Sequence, residues 1–199
     1  MLTLHLVRHG ETEASGEGIL CGDLDPPLTG QGKEQAERLA KRVASFALSA
    51  LYVSPKLRAR MTAEPVVRAS GLTPRIEEGL REIGYGIWEG RKETDVRAND
   101  PETYAAWNLD PAIHSPPGGE NGYAIAARAL PVLERIRAEN TSGNVLIVSH
   151  KATIRVLVCA LVGLHIGRFR DRIACPTASI TSFEIGDRGP MLVRIGEQA

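Results

Sequence analysis

Two short apolar runs limit the folds that this chain can adopt. Residues 2–7 and 144–148 have the length and the aliphatic content of buried strands. The second run is apolar at successive positions, which is typical of a parallel sheet covered by helices on both faces. Each run leads into a histidine, at Arg8-His9 and at Ser149-His150. Because ligands of α/β sheets bind beyond the carboxyl ends of the strands, these pairs predict a site at one sheet edge.

Helix-like and strand-like segments alternate along the rest of the chain. Thr29 is a predicted N-cap for an amphipathic helix, and a second helix is expected from about residue 55 toward residue 69, with Pro65 bending or ending it. We predict further strands at 51–53 and 75–77, short helices and a covering loop over 96–119, a long helix to about residue 138, and a terminal hairpin from 180–185 and 191–195. The alternation predicts an α/β fold, a three-layer α/β/α sandwich with a mostly parallel central sheet, in one domain over residues 1–199.

Composition excludes several function classes. Lys plus Arg number 24 and Asp plus Glu number 24, so the net charge is zero. The chain therefore has no net positive charge that would attract nucleic acid or an anionic membrane. Cys21, Cys159 and Cys175 are odd in number and lack a Cys-x-x-Cys pair, which argues against a disulfide framework or a zinc site. No apolar run has transmembrane length and no signal peptide is evident, so we expect a cytoplasmic protein. A homodimer remains open.

Five ionisable residues follow strand or loop signals and suggest the chemistry: Arg8, His9, Arg58, Glu82 and His150. Arginine does not ligate metals and repels cations, so we expect neither a metal nor a cofactor. Guanidinium groups match phosphate oxygens in bidentate geometry. A neutral imidazole can attack phosphorus, and a carboxyl group can protonate the leaving oxygen and then activate water. The set therefore favours phosphoryl transfer from a small phosphorylated metabolite.

Several motifs also resemble one family. The segment Arg8-His9-Gly10-Glu11-Thr12 resembles the signature of the histidine phosphatase superfamily, in the branch named after cofactor-dependent phosphoglycerate mutase. Further matches follow in the family's order: Asp25-Pro26-Pro27-Leu28-Thr29 with Gly32, Gln35 and Ala36; Ser54-Pro55 with Arg58-Ala59 and Thr62-Ala63; Glu82 with Gly86, Trp88, Glu89 and Gly90; Pro117-Gly118-Gly119-Glu120; and Ser149-His150 with Ile154-Arg155. The resemblance spans almost the whole chain and implies a phosphoglycerate mutase-like fold.

The resemblance also implies roles for individual residues. His9 matches the nucleophile that becomes phosphohistidine, and Glu82 matches the proton donor that later acts as a base. Arg8, Arg58 and His150 match the groups that bind the phosphoryl oxygens. Five more positions match residues that line the pocket in relatives: Thr12, Ser15, Cys21, Gly22 and Tyr85.

Two departures from the family pattern bear on the substrate. Ser15 stands where asparagine is common, and its hydroxyl can still donate one hydrogen bond to phosphate. Lys151 stands where glycine usually follows the second histidine. If its ammonium reaches the pocket, it favours a substrate with a second phosphate or a carboxylate. If it points outward, it is only a charge at a helix start, where the macrodipole slightly disfavours it.

Three functions remain open from the sequence. Mutases of this family carry a lysine where this chain has Glu93, and Arg97 stands alone in the following segment. The chain continues only briefly beyond its last strand signal, so we expect no long segment to shield a phosphohistidine from water. Phosphomonoester hydrolysis is therefore favoured, with mutase-type phosphoryl transfer as the alternative. A phosphate-binding module without turnover is the third reading, and it would require loss of His9 or Glu82.

Other conspicuous residues have structural interpretations. The histidines at 5, 114 and 165 lack partner motifs, and Trp107 is interpreted as an isolated apolar anchor. Arg168, Arg170 and Arg172 alternate with Phe169 and Asp171, a run that could bind an acidic partner but that we interpret as a solvated face.

Overall fold

The computed structural model describes residues 1–198 and contains one six-stranded sheet. Its strands are β1 (Leu2–Arg8), β2 (Leu48–Val53), β3 (Arg75–Ile76), β4 (Gly143–Ser149), β5 (Ser179–Gly186) and β6 (Gly189–Gln198). Its α-helices are α1 (Glu13–Glu17), α2 (Gly30–Val43), α3 (Leu57–Ser70), α4 (Glu93–Asn99), α5 (Pro101–Leu109), α6 (Gly122–Glu139), α7 (Lys151–Val162) and α8 (Phe169–Arg172).

The sheet has the strand order β3-β2-β4-β1-β5-β6. β3, β2, β4 and β1 are mutually parallel, whereas β5 runs antiparallel to β1 and closes the sheet with β6 as a hairpin. The predicted mostly parallel sheet and terminal hairpin are confirmed. Within residues 1–198, no helix is long and apolar enough to cross a membrane.

The side chains of β4 show why the chain forms three layers. Val145 and Ile147 belong to a core shared with α6 and α7 on one face of the sheet. Leu146 and Val148 belong to a second core, shared with α2 and α3 on the other face. All four are completely buried, as expected for a central parallel strand covered on both sides. The predicted α/β/α sandwich is therefore correct.

Local sequence signals account for most helix boundaries. The Thr29 hydroxyl oxygen accepts the Gly32 amide at 3.0 Å and caps α2, as predicted. Pro65 was predicted to bend or end the next helix, and it does not end it, because α3 continues through it to Ser70. Proline lacks only one N–H donor, and Ala63 and Val66 of the same helix pack into the second core. Tertiary burial therefore outweighs local propensity here.

We expect the central strand to dominate stability. Leu146→Ala removes a fully buried side chain and should lower the free energy of unfolding by about 2–5 kcal/mol. Leu109→Ala is the matched control, because this side chain is 74% exposed, and it should change that free energy by less than about 0.5 kcal/mol. Equilibrium urea unfolding measures both. Equal losses in the two variants would contradict the assignment of the core.

Candidate active site

Two parallel strands bring the predicted histidines to one edge of the sheet. Arg8 of β1 lies opposite Ser149 of β4, and the His9 amide donates to the Ser149 carbonyl at 3.0 Å. The residue after each strand is therefore a histidine at the same level of the sheet. The ring centroids of His9 and His150 are 5.1 Å apart. The fold thus brings together His9 and His150, which lie 141 residues apart in the sequence.

Hydrogen bonding sets the tautomer of His9. Its Nδ1 lies 2.7 Å from the Gly10 carbonyl oxygen, which can only accept, so Nδ1 carries the proton. Nε2 then holds the free lone pair. Gly10 is itself fixed, since its amide donates to the Thr62 hydroxyl at 2.9 Å. His9 is 5% exposed, so the ring is buried and its orientation is fixed.

The second histidine is held from the opposite side of its ring. His150 Nε2 lies 2.7 Å from Ser54 Oγ at the end of β2. Its buried Nδ1 has no hydrogen-bond partner within the part of the chain that the structure describes. A buried polar nitrogen without a partner is costly, and a bound anion would supply the missing acceptor. Ser54 is therefore a positioning residue for His150.

Arg58 joins the site to the loop that forms one wall of the pocket. The side chain is 1% exposed. Its guanidinium donates to the carbonyl oxygens of Leu24 at 2.8 Å and of Cys21 and Gly22 at 3.3 Å, and it lies 3.3 Å from Asp25 Oδ1. These contacts hold its charge in place before any ligand binds. Such preorganisation is what stabilisation of a developing charge requires.

Arg8 is anchored at only part of its guanidinium. Nη1 donates to the Cys175 carbonyl at 2.8 Å, whereas the buried Nε has no partner among residues 1–198. Arg8, His9 and Arg58 line the same cavity, which has a volume of about 100 Å³. That volume suits a phosphoryl group held by two guanidinium groups.

Glu82 lies at the N-terminus of α7. Its Oε1 accepts the amides of Ile83 at 3.0 Å and Ala152 at 3.1 Å, and the side chain is 5% exposed. These amides hold the carboxyl group of Glu82 at the first turn of the helix. The Arg128 guanidinium donates to the Glu82 carbonyl at 3.1 Å and fixes the backbone behind it. The carboxylate therefore lines the cavity in a defined orientation.

Burial and neighbouring cations keep both histidines neutral. Burial is the main cause that lowers the pKa of His9 well below its usual value, and the Arg8 and Arg58 guanidinium groups lower it further. The pKa of His150 is also lowered well below its usual value, by burial first and then by Arg58 and His9. A neutral His9 can attack phosphorus at neutral pH without first losing a proton.

The expected pocket-lining residues separate into two groups. Thr12, Ser15, Cys21 and Tyr85 line the cavity. Gly22 lies behind its wall, where a Cβ would stand 1.8 Å from the Ile83 carbonyl oxygen, so this contact requires glycine.

Ser15 already uses its hydroxyl within the protein. It donates to the Thr12 carbonyl and accepts the Thr12 amide, both at 2.9 Å, in a capping box at the start of α1. The expected hydrogen bond from Ser15 to phosphate therefore requires this hydroxyl to rotate away from Thr12. Burial raises the pKa of the Tyr85 phenol, which keeps its proton and can donate a hydrogen bond.

Lys151 is among the residues that line the cavity. It is the first residue of α7, directly after His150, and its side chain remains exposed. Its ammonium group is therefore available at the mouth of the pocket.

A group of residues beside this mouth was not predicted from the sequence. Arg170 does not belong to a solvated face: its Nη2 donates to Glu93 Oε1 at 2.6 Å, and its guanidinium lies 3.5 Å from the ring centroid of Trp107. Trp107 is a buried apolar anchor, as predicted, and it packs edge-on against Trp88 and Tyr104. No local pattern signals these contacts, since they join α4, α5 and α8 across long sequence separations.

Glu89 is a second positioning residue. Its carboxylate accepts the amides of Gly22 at 2.6 Å, Leu24 at 3.0 Å and Tyr85 at 3.3 Å. Together with Arg58 it fixes the loop around Cys21 from both sides. The matched motif that contains Glu82 and Glu89 was the available signal for this role.

The protonation state of the histidines can be measured directly. In the phosphate-free protein, the imidazole ¹⁵N resonances of His9 and His150 should stay in the neutral form at pH 6.5, where an ordinary imidazole is about half protonated. Spectra of His9→Asn and His150→Asn assign the two resonances. Titration of either ring with a midpoint at or above pH 6.5 would contradict this electrostatic description.

Comparison with known proteins identifies the family. The family profile described as histidine phosphatase superfamily (branch 1) matches residues 4–198. Phosphoserine phosphatase 1 of Hydrogenobacter thermophilus is 31% identical over 195 residues, which cover 98% of this chain and 92% of that protein. Adenosylcobalamin/alpha-ribazole phosphatase of Escherichia coli is 32% identical over 163 residues, which cover 82% and 80% of the two proteins.

Solved structures agree with the sequence relatives. The structure of Bacillus stearothermophilus YhfR superimposes with a TM-score of 0.92 at 31% identity, covering 100% of this chain and 98% of that chain. The family profile, the full-length relatives and the shared fold all include the segments that carry His9, Arg58, Glu82 and His150. The chain therefore belongs to branch 1 of the histidine phosphatase superfamily.

Proposed function

We propose that this protein hydrolyses phosphomonoesters of small metabolites through a covalent phosphohistidine on His9. The observation that carries the proposal is the hydrogen bond from His9 Nδ1 to the Gly10 carbonyl, which leaves Nε2 as a free nucleophile beside two arginines. The phosphatases of Hydrogenobacter and Escherichia coli, similar over most of their length, support this reaction class. We further infer that residues 1–199 act as one catalytic domain in the cytoplasm, where the three free cysteines would remain reduced.

The first step forms the phosphoenzyme. Arg8 and Arg58 hold the phosphoryl oxygens, and His150 Nδ1 donates to a third oxygen once it is protonated in the complex. His9 Nε2 attacks phosphorus as the ester P–O bond breaks. Glu82 gives its proton to the leaving oxygen, so the alcohol departs neutral.

The second step returns the enzyme to its starting state. The Glu82 carboxylate takes a proton from a water molecule whose oxygen attacks phosphorus, and the P–N bond to His9 breaks. Inorganic phosphate leaves, Glu82 is again protonated, and His9 is again neutral. In each step, the guanidinium groups of Arg8 and Arg58 stabilise the negative charge on the phosphoryl oxygens.

Access of water to the phosphoenzyme decides between hydrolysis and mutase chemistry. A mutase must return the phosphoryl group to substrate before water reaches it. Here the mouth of the pocket is bordered by the exposed Lys151 and the partly exposed Glu93, which supports hydrolysis. His9 and Glu82 are both present in the pocket, which argues against a binding module without turnover.

Labelling should identify the nucleophile. After brief incubation with a radiolabelled phosphomonoester and an acid-free quench, the wild type should carry phosphate that is stable in base and lost in acid. His9→Ala should carry no label and should lose at least about a thousandfold in kcat. His114→Ala changes an exposed histidine and should match the wild type. A labelled, active His9→Ala variant would refute the covalent route.

Removing the acid should affect substrates according to their leaving groups. Glu82→Gln should lower kcat/KM for an alkyl phosphate by roughly a hundredfold to ten-thousandfold. The first-step loss should be much smaller for p-nitrophenyl phosphate, because nitrophenolate leaves without a proton. Glu102→Gln, on the exposed surface of α5, is the control. Equal losses in pre-steady-state bursts for both substrates would exclude Glu82 as the proton donor.

A further inference from the structure

A second cavity opens beside the phosphoryl pocket. It has a volume of about 160 Å³ and shares Leu20, Tyr85, Glu93 and Lys151 with the first cavity. Its remaining wall includes Arg155 and Arg170. The two cavities therefore adjoin, so a ligand whose phosphoryl group occupies the first has room to extend into the second.

One cation of this second cavity is already neutralised by the protein. Arg170 donates to Glu93 Oε1 at 2.6 Å and stacks on Trp107. The Tyr104 hydroxyl donates to the same carboxylate oxygen at 2.8 Å. Arg170 and Glu93 thus form a fixed ion pair, and the wall of the cavity holds two further cations.

Lys151 and Arg155 are those remaining cations. They stand four residues apart on α7, a spacing that places both side chains on one helix face. Among residues 1–198 neither forms an ion pair, and the buried Nε of Arg155 has no hydrogen-bond partner. Burial is the main cause that lowers the pKa of each group, and the Arg155 guanidinium lowers the pKa of Lys151 further.

Arg8 extends this concentration of positive charge toward the phosphoryl pocket. Its guanidinium also lowers the pKa of both Lys151 and Arg155 by repulsion. Like charges held close together are unfavourable, and an anion placed among them relieves the repulsion and gives the buried Nε of Arg155 an acceptor. The phosphoryl group is held in the first cavity, so an anion bound by Lys151 and Arg155 is a second group of the same substrate.

We propose that Lys151 and Arg155 form a subsite for a second anionic group of the substrate, a carboxylate or a second phosphate, so that the enzyme prefers phosphomonoesters carrying such a group. The proposal rests on the hydrolase function proposed above and adds the substrate class. Lys151 and Arg155 act here as specificity-determining residues, whereas Arg170 and Glu93 shape the cavity wall.

A matched pair of substrates tests the subsite. 3-Phosphoglycerate and glycerol 3-phosphate are similar in size and differ in a carboxylate against a hydroxymethyl group. We expect the wild type to favour 3-phosphoglycerate in kcat/KM, and Lys151→Met to reduce that preference by roughly tenfold to a hundredfold, as for loss of a charged hydrogen bond. Lys33→Met removes an exposed charge from α2 and should leave the preference unchanged. Equal kcat/KM values for both substrates in the wild type would overturn the proposal.

A bisphosphate separates the two possible anions. Propane-1,3-diol bisphosphate is assayed beside 3-phosphoglycerate with wild type and Lys151→Met. A larger loss for the bisphosphate identifies phosphate as the second group, and a larger loss for 3-phosphoglycerate identifies carboxylate. No loss for either compound refutes the subsite.

Binding keeps this test separate from the test of hydrolysis. The Kd of the Glu82→Gln variant for 3-phosphoglycerate and glycerol 3-phosphate is measured by calorimetry, with and without Lys151→Met. Tighter binding of 3-phosphoglycerate that depends on Lys151 supports the subsite even if turnover is absent, in which case only the proposed hydrolysis fails. Equal Kd values overturn the subsite while leaving hydrolysis intact.

Discussion

β1 and β4 lie side by side in parallel, with Arg8 opposite Ser149 and the His9 amide bonded to the Ser149 carbonyl. The register of this pairing places His9 and His150, the residues that follow the two strands, side by side at one edge of the sheet. A shift of one residue would turn every side chain of β4 to the opposite face and exchange its two cores. Burial of Val145 and Ile147 on one face, and of Leu146 and Val148 on the other, therefore also fixes the geometry of the site.

The electrostatic character of the pocket follows from what is buried beside this sheet edge. Arg58 is almost fully buried, and the two neighbouring imidazoles stay neutral because burial and the guanidinium groups lower their pKa values. The pocket therefore combines two arginines with a neutral imidazole, and Asp25 is the carboxylate that pairs with Arg58. In the proposed reaction a phosphoryl dianion binds to these same groups, so binding and activation use one set of side chains.

The sequence was most informative where chemistry-bearing residues follow strand ends. His9 and His150 could be placed at one edge because apolar runs of parallel-strand character precede both. Contacts set by tertiary packing could not be predicted: Arg170 reaches Glu93 and Trp107 from α8, and α3 continues through Pro65 because neighbouring residues enter a core. Ser15 shows a further limit, since its hydroxyl serves a helix cap that residue type alone does not reveal.

The central claim is that two displacements at phosphorus occur in sequence on His9, and the stereochemical course of hydrolysis tests it most directly. A thiophosphate monoester made chiral at phosphorus with oxygen isotopes is hydrolysed in isotopically labelled water, and the configuration of the released thiophosphate is determined. Each in-line displacement inverts phosphorus, so the phosphohistidine route predicts overall retention. Overall inversion would mean that water attacks the substrate directly, and it would contradict a covalent intermediate on His9.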